Sequence, residues 1–255
     1  MNWWQVAVLS GVEGLTEFLP VSSTGHLILT AWVLKLTQTE FLKTFEVVIQ
    51  LGAILSIVIL YGRRLWKNPE EIKKILAAFL PTAMVGFAGY KFIKTFLLGN
   101  SLITVVALAV GGLAILLFDK RFNAAARGKR ISDLTYKQAM LIGAVQALAV
   151  VPGVSRALVT IWCGLTAGLS RKEAVEMSFV LAVPTMAAAA GYDILRSGWG
   201  FSETEWGLLA LGFVISAIVA FVTVKWFLRL VQQHGMILFG WYRLLAAAIF
   251  LLAGI

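Results

Sequence analysis

Long apolar runs separated by short polar segments make up most of this 255-residue chain. A helix needs about 20 apolar residues to cross the hydrocarbon core of a bilayer, which is about 30 Å thick. Six runs have lengths suited to single spanning helices, at approximately 41–61, 76–98, 101–118, 174–195, 206–230 and 236–254. The pattern therefore predicts an all-α, polytopic membrane protein.

Two further runs, 3–34 and 135–168, are each over thirty residues long, and proline interrupts each near its middle. Proline removes a helical hydrogen bond, and irregular backbone at membrane depth is tolerated only where protein or a water-filled cavity covers it. We call Glu13–His26 the first broken segment and Pro152–Thr160 the second broken segment. Each is predicted to be re-entrant, so the fold has about six spanning helices plus two broken helices.

The two broken segments belong to an internal repeat. A glycine, a proline and a serine recur with the same spacing 132 residues later: Gly11, Pro20 and Ser23 against Gly143, Pro152 and Ser155. Each broken segment precedes three spans, an odd number, so the second half is predicted to enter the membrane inverted. We interpret 1–255 as a single membrane domain with inverted halves at approximately 1–118 and 135–255. Paired broken helices of this kind favour a binding site near the bilayer midplane, between the halves.

Composition and charge agree with a membrane protein and exclude a nucleic-acid binder. Only 14% of the residues are charged, against about a quarter in soluble domains. The net charge of +9 comes mostly from basic residues in short loops, above all 62–75 and 119–137. The positive-inside rule places these two loops on the cytoplasmic side and both chain ends outside. Basic residues at the membrane surface also attract anionic membrane lipids.

Glu13 and Glu17 are the first candidates for chemistry, because a spacing of four residues puts both carboxylates on one helix face. A charged side chain at the centre of a membrane helix costs about 2.5–3.5 kcal/mol on an insertion scale. Two adjacent carboxylates therefore call for a cation between them, or for one to keep its proton. The alternative is an interfacial helix start with two solvated glutamates.

Hydroxyl groups and a histidine follow Pro20 within six residues: Ser22, Ser23, Thr24 and His26. Serines in this position can cap a helix, and a single buried histidine is more often structural than catalytic. Combined with two carboxylates in one short segment, these groups favour a nucleophile or a general acid or base.

In the second broken segment, Arg156 lies within an apolar run, where only a partner anion makes a guanidinium tolerable. Gly153 leaves backbone N–H groups free at the start of the next helix, where the helix dipole also favours phosphate. Arg156 adds a pair of donors that match phosphate oxygens. The alternative is a structural ion pair between Arg156 and a glutamate of the first half.

These residues resemble the bacterial undecaprenyl-diphosphate phosphatases, also called bacitracin-resistance proteins. The resemblance is based on Gly11–Leu27 and Pro152–Thr160, and the order of spans agrees over essentially the whole chain. The glutamate motif of that family maps onto Glu13 and Glu17, its histidine onto His26, and its arginine motif onto Pro152–Thr160. One departure is Ala157, which replaces the second serine of the arginine motif.

The resemblance implies a hydrolase that depends on Mg²⁺ or Ca²⁺ and removes the terminal phosphate from a C55 isoprenyl diphosphate. This activity recycles the carrier lipid of cell-wall synthesis in the bacterial cytoplasmic membrane, at a site open to the outer side. The expected phosphate-binding residues are Ser22, Gly153, Ser155, Arg156 and Thr160. Glu13 and Glu17 are expected to bind the metal, and Glu17 is also the expected base; Ser23 or His26 would attack or activate water.

An inverted-repeat transporter or flippase for an anionic lipid is the competing interpretation, since such carriers also have paired broken helices. The sequence leaves open the nucleophile, the metal, the chain-length preference and association into homo-oligomers.

Overall fold

The computed structural model describes residues 1–92, 101–196 and 200–254, which form α-helices joined by short turns, without a β-strand in those ranges. Ten α-helices are present there: α1 Trp3–Thr16, α2 Ser23–Val33, α3 Glu40–Lys67, α4 Pro69–Phe92, α5 Ser101–Ala124, α6 Tyr136–Gln146, α7 Arg156–Thr166, α8 Arg171–Arg196, α9 Glu203–His234 and α10 Ile237–Leu252. Short 3-10 turns at Ile131–Asp133 and Ala147–Val150 flank α6. The prediction of an all-α fold is confirmed.

Within the described residues, five of these helices are long and apolar enough to cross a membrane: α3, α4, α5, α8 and α9. The sixth expected span is α10, which is strongly apolar but only 16 residues long. Large apolar side chains point outward from the helices, as Ile59, Leu117 and Val222 do, each more than 60% exposed. Such a surface suits lipid rather than water, and the chain is a multi-pass membrane protein.

Both predicted helix breaks are present. A turn at residues 17–22 separates α1 from α2, and the turns after Gln146 separate α6 from α7. Each second arm starts from a serine with a positive φ, Ser22 at 70° and Ser155 at 68°. The spacing of prolines aligned Ser23 with Ser155, which is one residue out of register with the structure. Ser22 and Ser155 are the equivalent residues, because both are the N-caps of the arms that follow.

The order of helices repeats along the chain. Helices α6 to α10 follow the order of α1 to α5, and each starts 131 to 136 residues after its counterpart. Packing crosses between the two sets: α1 packs against α9, and its counterpart α6 packs against α4, the counterpart of α9. Helices α3 and α8 pack against each other, as do α5 and α10. The first arm of each broken helix is therefore buried by a helix from the other set.

Arg64, at the end of α3, ties three helices together on the side of the basic loops. Its guanidinium donates to Glu71 of α4, and to Glu173 and Glu176 of α8, with distances of 2.9 Å to Glu71 and Glu173. Glu173 also accepts from the backbone N–H of Ile131. The sequence pattern Ser170-x-x-Glu173 indicates a helix cap. Ser170 does cap α8, but the Glu173 carboxylate serves this ion cluster.

Candidate active site

A cavity of about 220 Å³ lies between the two broken segments. Its wall includes six of the residues to which the sequence assigns a role in catalysis, metal binding or phosphate binding: Glu17, Ser22, Ser23, Gly153, Ser155 and Arg156. Apolar side chains such as Leu19, Val151 and Met186 complete it. The fold thus brings the carboxylate of the first broken segment and the guanidinium of the second broken segment to one space.

Arg156 and Glu17 form an ion pair across the cavity wall. Arg156 Nη2 donates to Glu17 Oε1 at 2.7 Å, and Nη1 donates to the carbonyl oxygen of Ser178 at 2.8 Å. Both side chains are mostly buried, with 12% and 7% of their surface exposed. The ion pair that the sequence left open is present, and it joins the two broken segments. Because the guanidinium still lines the cavity, its remaining donors are available to an anion there.

Ser23 is the hydroxyl nearest to this pair. As the first residue of α2, it directs its Oγ at Glu17 Oε2, to which it donates at 2.5 Å. Glu17 therefore has one oxygen on Arg156 and the other on Ser23. A serine whose proton points at a buried carboxylate, next to an arginine, has the arrangement that activates a nucleophile.

His26 lies behind this group rather than on the cavity wall. Its Nδ1 is 2.8 Å from the carbonyl oxygen of Ser22, and its Nε2 is 2.6 Å from the hydroxyl of Tyr242. The imidazole is 8% exposed. Both ring nitrogens are thus engaged, and the geometry places His26 as a support of the turn that precedes Ser23.

Thr160 and Ala157 both face the protein interior, away from the cavity, with 0% and 1% exposure. Thr160 Oγ1 lies 2.8 Å from the carbonyl oxygen of Arg156 and 2.8 Å from Ser178 Oγ. Because Ser178 also accepts from the Arg156 guanidinium, Thr160 supports the position of Arg156. Because Thr160 does not line the cavity, its position does not support the predicted direct binding of phosphate. Alanine at 157, where the resembled family has serine, removes no group from the cavity wall.

Glu13 lies one helical turn before Glu17 and is fully buried. Neither of its carboxylate oxygens has a hydrogen-bond partner. Across the described ranges, no group of three histidine, cysteine or acidic side chains is placed to hold a metal ion. A buried carboxylate without a partner either carries a proton or faces a cation, since an isolated charge costs several kcal/mol in an apolar interior. Carboxylate oxygens are the ligands that a hard divalent cation prefers, although Glu13 does not line the cavity and both Glu17 oxygens accept from Ser23 and Arg156.

Arg243 of α10 is a second buried arginine next to the site, and it is 0% exposed. Its guanidinium donates to backbone carbonyls of both broken helices, Pro20 at 3.1 Å and Gly153 at 2.6 Å. Its other donors reach the carbonyls of Ala107 and Leu108 on α5. Gly153 has a φ of 93°, and a Cβ there would collide with α5. Arg243 therefore joins the two turns to each other and to α5.

The sequence of the chain matches those of known proteins over almost its whole length. The sequence model of the family described as bacitracin resistance protein BacA matches residues 6–249. The chain belongs to this family. It is 47% identical to the undecaprenyl-diphosphatase of Aquifex aeolicus, over 98% of both chains. It is 46% identical to that of Thermus thermophilus, over 97% of this chain and 95% of the relative, and 44% identical to that of a Sulfurihydrogenibium species, over 99% of both.

In this BacA-family chain, sequence reasoning missed two polar residues of α10 next to the site, Tyr242 and Arg243. Arg243 interrupts the apolar run 236–254, and a lone charge in a spanning run is a signal of function or of a buried partner. Tyr242 carries no such signal. Its contact with His26 joins residues 216 positions apart, which no local pattern encodes.

An amide and two hydroxyls form a further group on the cavity wall, Gln146, Thr82 and Thr185. The position of Gln146 just before Pro152 predicts that it lines the cavity or bonds another helix, and it does both; the two threonines were missed. Gln146 Nε2 lies 3.0 Å from both threonine hydroxyl oxygens. Each hydroxyl gives its one proton to a backbone carbonyl, so the amide must be the donor to both. Gln146 Oε1 is left as a buried acceptor without a partner. The available signal was a Pro-Thr pair inside each of two spans, at Pro81 and at Pro184.

Proposed function

We propose that this protein is an undecaprenyl-diphosphate phosphatase, which hydrolyses the lipid diphosphate to undecaprenyl phosphate and inorganic phosphate. The observation that carries the proposal is the buried Glu17–Ser23–Arg156 constellation in a cavity of a membrane protein whose full-length relatives are named undecaprenyl-diphosphatases. Removal of the terminal phosphate returns the carrier lipid to cell-wall synthesis. The family that the chain belongs to is described as bacitracin resistance protein BacA, and we propose that this activity confers bacitracin resistance.

In this proposal the diphosphate group binds in the cavity, and the isoprenyl chain leaves between helices into lipid. Arg156 supplies a guanidinium that matches phosphate oxygens and stabilises negative charge on the transferring phosphoryl group. The start of α7 adds the positive end of a helix dipole, and Ser22, Gly153 and Ser155 line the same wall. Binding of the phosphate draws Arg156 partly away from Glu17, which leaves that carboxylate free to accept a proton.

Ser23 is the proposed nucleophile, since its hydroxyl faces the cavity and already donates to Glu17. Its Oγ forms a bond to the terminal phosphorus while the bond from that phosphorus to the bridging oxygen breaks. The Ser23 proton passes to Glu17, and undecaprenyl phosphate departs with the bridging oxygen. Water then attacks the phosphoserine, the bond between phosphorus and Oγ breaks, and Glu17 returns its proton to Ser23 Oγ. Inorganic phosphate leaves with the oxygen and both protons of the water, which restores Ser23 and Glu17. His26 has neither ring nitrogen free, which favours serine over histidine as the attacking group.

Replacement of Ser23 tests this assignment and the activity together. Purified wild-type protein in detergent, given Mg²⁺ or Ca²⁺, is expected to release inorganic phosphate from a prenyl diphosphate. Ser23→Ala should lose about 10²- to 10⁴-fold in rate, the range of a positioned acid–base or nucleophilic group. With substrate labelled in the terminal phosphate, acid quenching should trap label on the wild type and none on Ser23→Ala.

Ser10→Ala is a matched control, because Ser10 is fully buried on α1 and its hydroxyl has no partner. It should keep wild-type activity. Phosphate release by Ser23→Ala at the wild-type rate would show that water attacks directly. A wild-type protein that moves labelled lipid across liposomes but hydrolyses none would identify a transporter instead.

We further propose that Glu13 and Glu17 hold Mg²⁺ or Ca²⁺. A bound cation would offset charge on the phosphoryl group during transfer. The support is the carboxylate of Glu13, which is buried without a partner one turn from Glu17.

Chelation tests the metal proposal. Treatment with EDTA should lower phosphate release at least a hundredfold, and added Mg²⁺ or Ca²⁺ should restore it. Glu13→Gln should raise the metal concentration needed for half-maximal activity about tenfold or more, whereas Glu70→Gln, an exposed change on α4, should not. Full activity after EDTA treatment would exclude the metal.

The site is proposed to open to the outer side of the bacterial cytoplasmic membrane. The support is the position of the basic loops 62–75 and 119–137, which the positive-inside rule assigns to the cytoplasm. Helix α3 is 28 residues long, about 42 Å at 1.5 Å per residue, so its ends lie on opposite sides.

Cysteines at exposed positions near the two ends of α3 check this orientation, because the native Cys163 is buried. On intact spheroplasts, a membrane-impermeant thiol reagent should label Thr37→Cys. It should label Lys67→Cys only after lysis. The reverse pattern would place the site on the cytoplasmic side.

A further inference from the structure

The hydrogen bonds of His26 fix which of its ring nitrogens carries the proton. A carbonyl oxygen can only accept, so Nδ1, 2.8 Å from the Ser22 carbonyl oxygen, carries a hydrogen. In the neutral ring Nε2 then offers a lone pair, and the Tyr242 hydroxyl donates to it at 2.6 Å. The two rings are nearly parallel, at 8°, with centroids 5.4 Å apart. One tautomer of His26 is thus compatible with both neighbours.

Ser22, which His26 contacts through Nδ1, has a strained backbone conformation. Ser22 has a φ of 70°, in a region that L-residues rarely adopt, and it directly precedes Ser23. The Ser22 side chain makes no capping hydrogen bond to α2. The Ser22 carbonyl instead accepts from the imidazole N–H and, at 3.4 Å, from the backbone N–H of His26. His26 is therefore the side chain that holds the residue directly before Ser23.

We propose that Tyr242 is a positioning residue of the active site, which holds His26 as the neutral Nδ1–H tautomer and thereby keeps the Ser22–Ser23 turn in place. The proposal rests on the proposed phosphatase function for its kinetic consequence. Tyr242 acts through two intermediates, His26 and the Ser22 backbone, and does not touch the cavity. Its ring is 44% exposed on the outer surface of α10 while its hydroxyl reaches inward, so the hydroxyl can be removed without opening a core cavity.

Tyr242→Phe tests the proposal, since it removes one oxygen and leaves the ring. The chain has two histidines, so a His234→Gln background leaves His26 as the one imidazole for ¹⁵N NMR in detergent micelles. With Tyr242 present, Nδ1 should give a protonated signal and Nε2 the signal of a hydrogen-bonded acceptor. Tyr242→Phe should shift the Nε2 signal and populate the Nε2–H tautomer. In kinetics it should lower kcat about tenfold, with KM within twofold.

Trp241→Phe is the matched control, because Trp241 is an exposed neighbour on the same helix. It should leave kcat and the ¹⁵N signals unchanged. A Tyr242→Phe protein with wild-type kcat, or with lowered kcat but wild-type ¹⁵N signals, would overturn the proposal. Its failure is distinct from that of the proposed function: a wild type without phosphatase activity would refute the function, and unshifted nitrogen signals would refute the role of Tyr242.

Discussion

Glu17→Gln should lower phosphate release about 10³-fold or more, among the largest losses expected for a single change in this protein. The carboxylate has two tasks, since one oxygen accepts from Ser23 and the other from Arg156. A neutral amide cannot accept the Ser23 proton, and it removes the counter-charge of a buried guanidinium. A general base contributes about 10²- to 10⁴-fold, and the misplaced arginine adds to that loss. The measurement is kcat with a prenyl diphosphate at saturating metal.

Glu40→Gln is the control for the loss of a carboxylate, because Glu40 is exposed and pairs with its helix neighbour Lys43 at 2.7 Å. Its kcat should stay within twofold of the wild type. Thermal unfolding of Glu17→Gln should be followed as well, so that an inactive but folded protein is told from an unfolded one. A folded Glu17→Gln protein with more than a tenth of wild-type activity would remove Glu17 from the role of base.

Arg243→Met should both destabilise the protein and inactivate it, although Arg243 does not line the cavity. The change leaves the carbonyls of Pro20 and Gly153 without this donor, whereas those of Ala107 and Leu108 lie inside α5 and keep their helical donors. Each buried acceptor left unsatisfied costs about 1–3 kcal/mol, offset in part because a buried charge no longer has to be desolvated. We expect a net loss of about 4 kcal/mol, or roughly 10 °C in the unfolding midpoint for a chain of this size.

Arg243→Lys should fall between the wild type and Arg243→Met, because an ammonium group has three donors in place of five. Arg229→Met, an exposed change on α9, should move the midpoint by less than 2 °C. Unfolding in detergent, followed by intrinsic fluorescence, measures all three variants. An Arg243→Met protein that unfolds at the wild-type temperature and keeps its activity would show that the guanidinium does not hold the turns at Pro20 and Gly153 together.

Features that the backbone encodes locally were predictable from the sequence. The apolar runs marked the spans, and the prolines at 20 and 152 marked the two breaks, because proline disrupts a helix wherever it is placed. Residues near those breaks, such as Glu17 and Ser23, do line the cavity. Their roles in catalysis remain predictions, which the variants above test.

Contacts between distant residues were beyond sequence reasoning. The partners of Glu17, His26 and Gly153 are Arg156, Tyr242 and Arg243, each at least 90 residues away. Helical periodicity shows which face of a helix is polar, but not which helix will cover that face. The predicted register of the repeat was wrong by one residue for a related reason. Matching residue types aligned Ser23 with Ser155, whereas the structural counterpart of Ser155 is set by where each helix starts, at Ser22.

The crossed packing of the two sets of helices has a consequence for biosynthesis. Helix α1, with Glu13 and Glu17, is covered by α9, and α6 is covered by α4. During synthesis the ribosome releases Trp3–Thr16 long before Glu203–His234, so the two carboxylates enter the membrane before their covering helix exists. Until then they must stay protonated, remain near the lipid headgroups or be shielded by the insertion machinery. Assembly of the first broken segment is therefore a late event, completed only when nearly the whole chain has been translated.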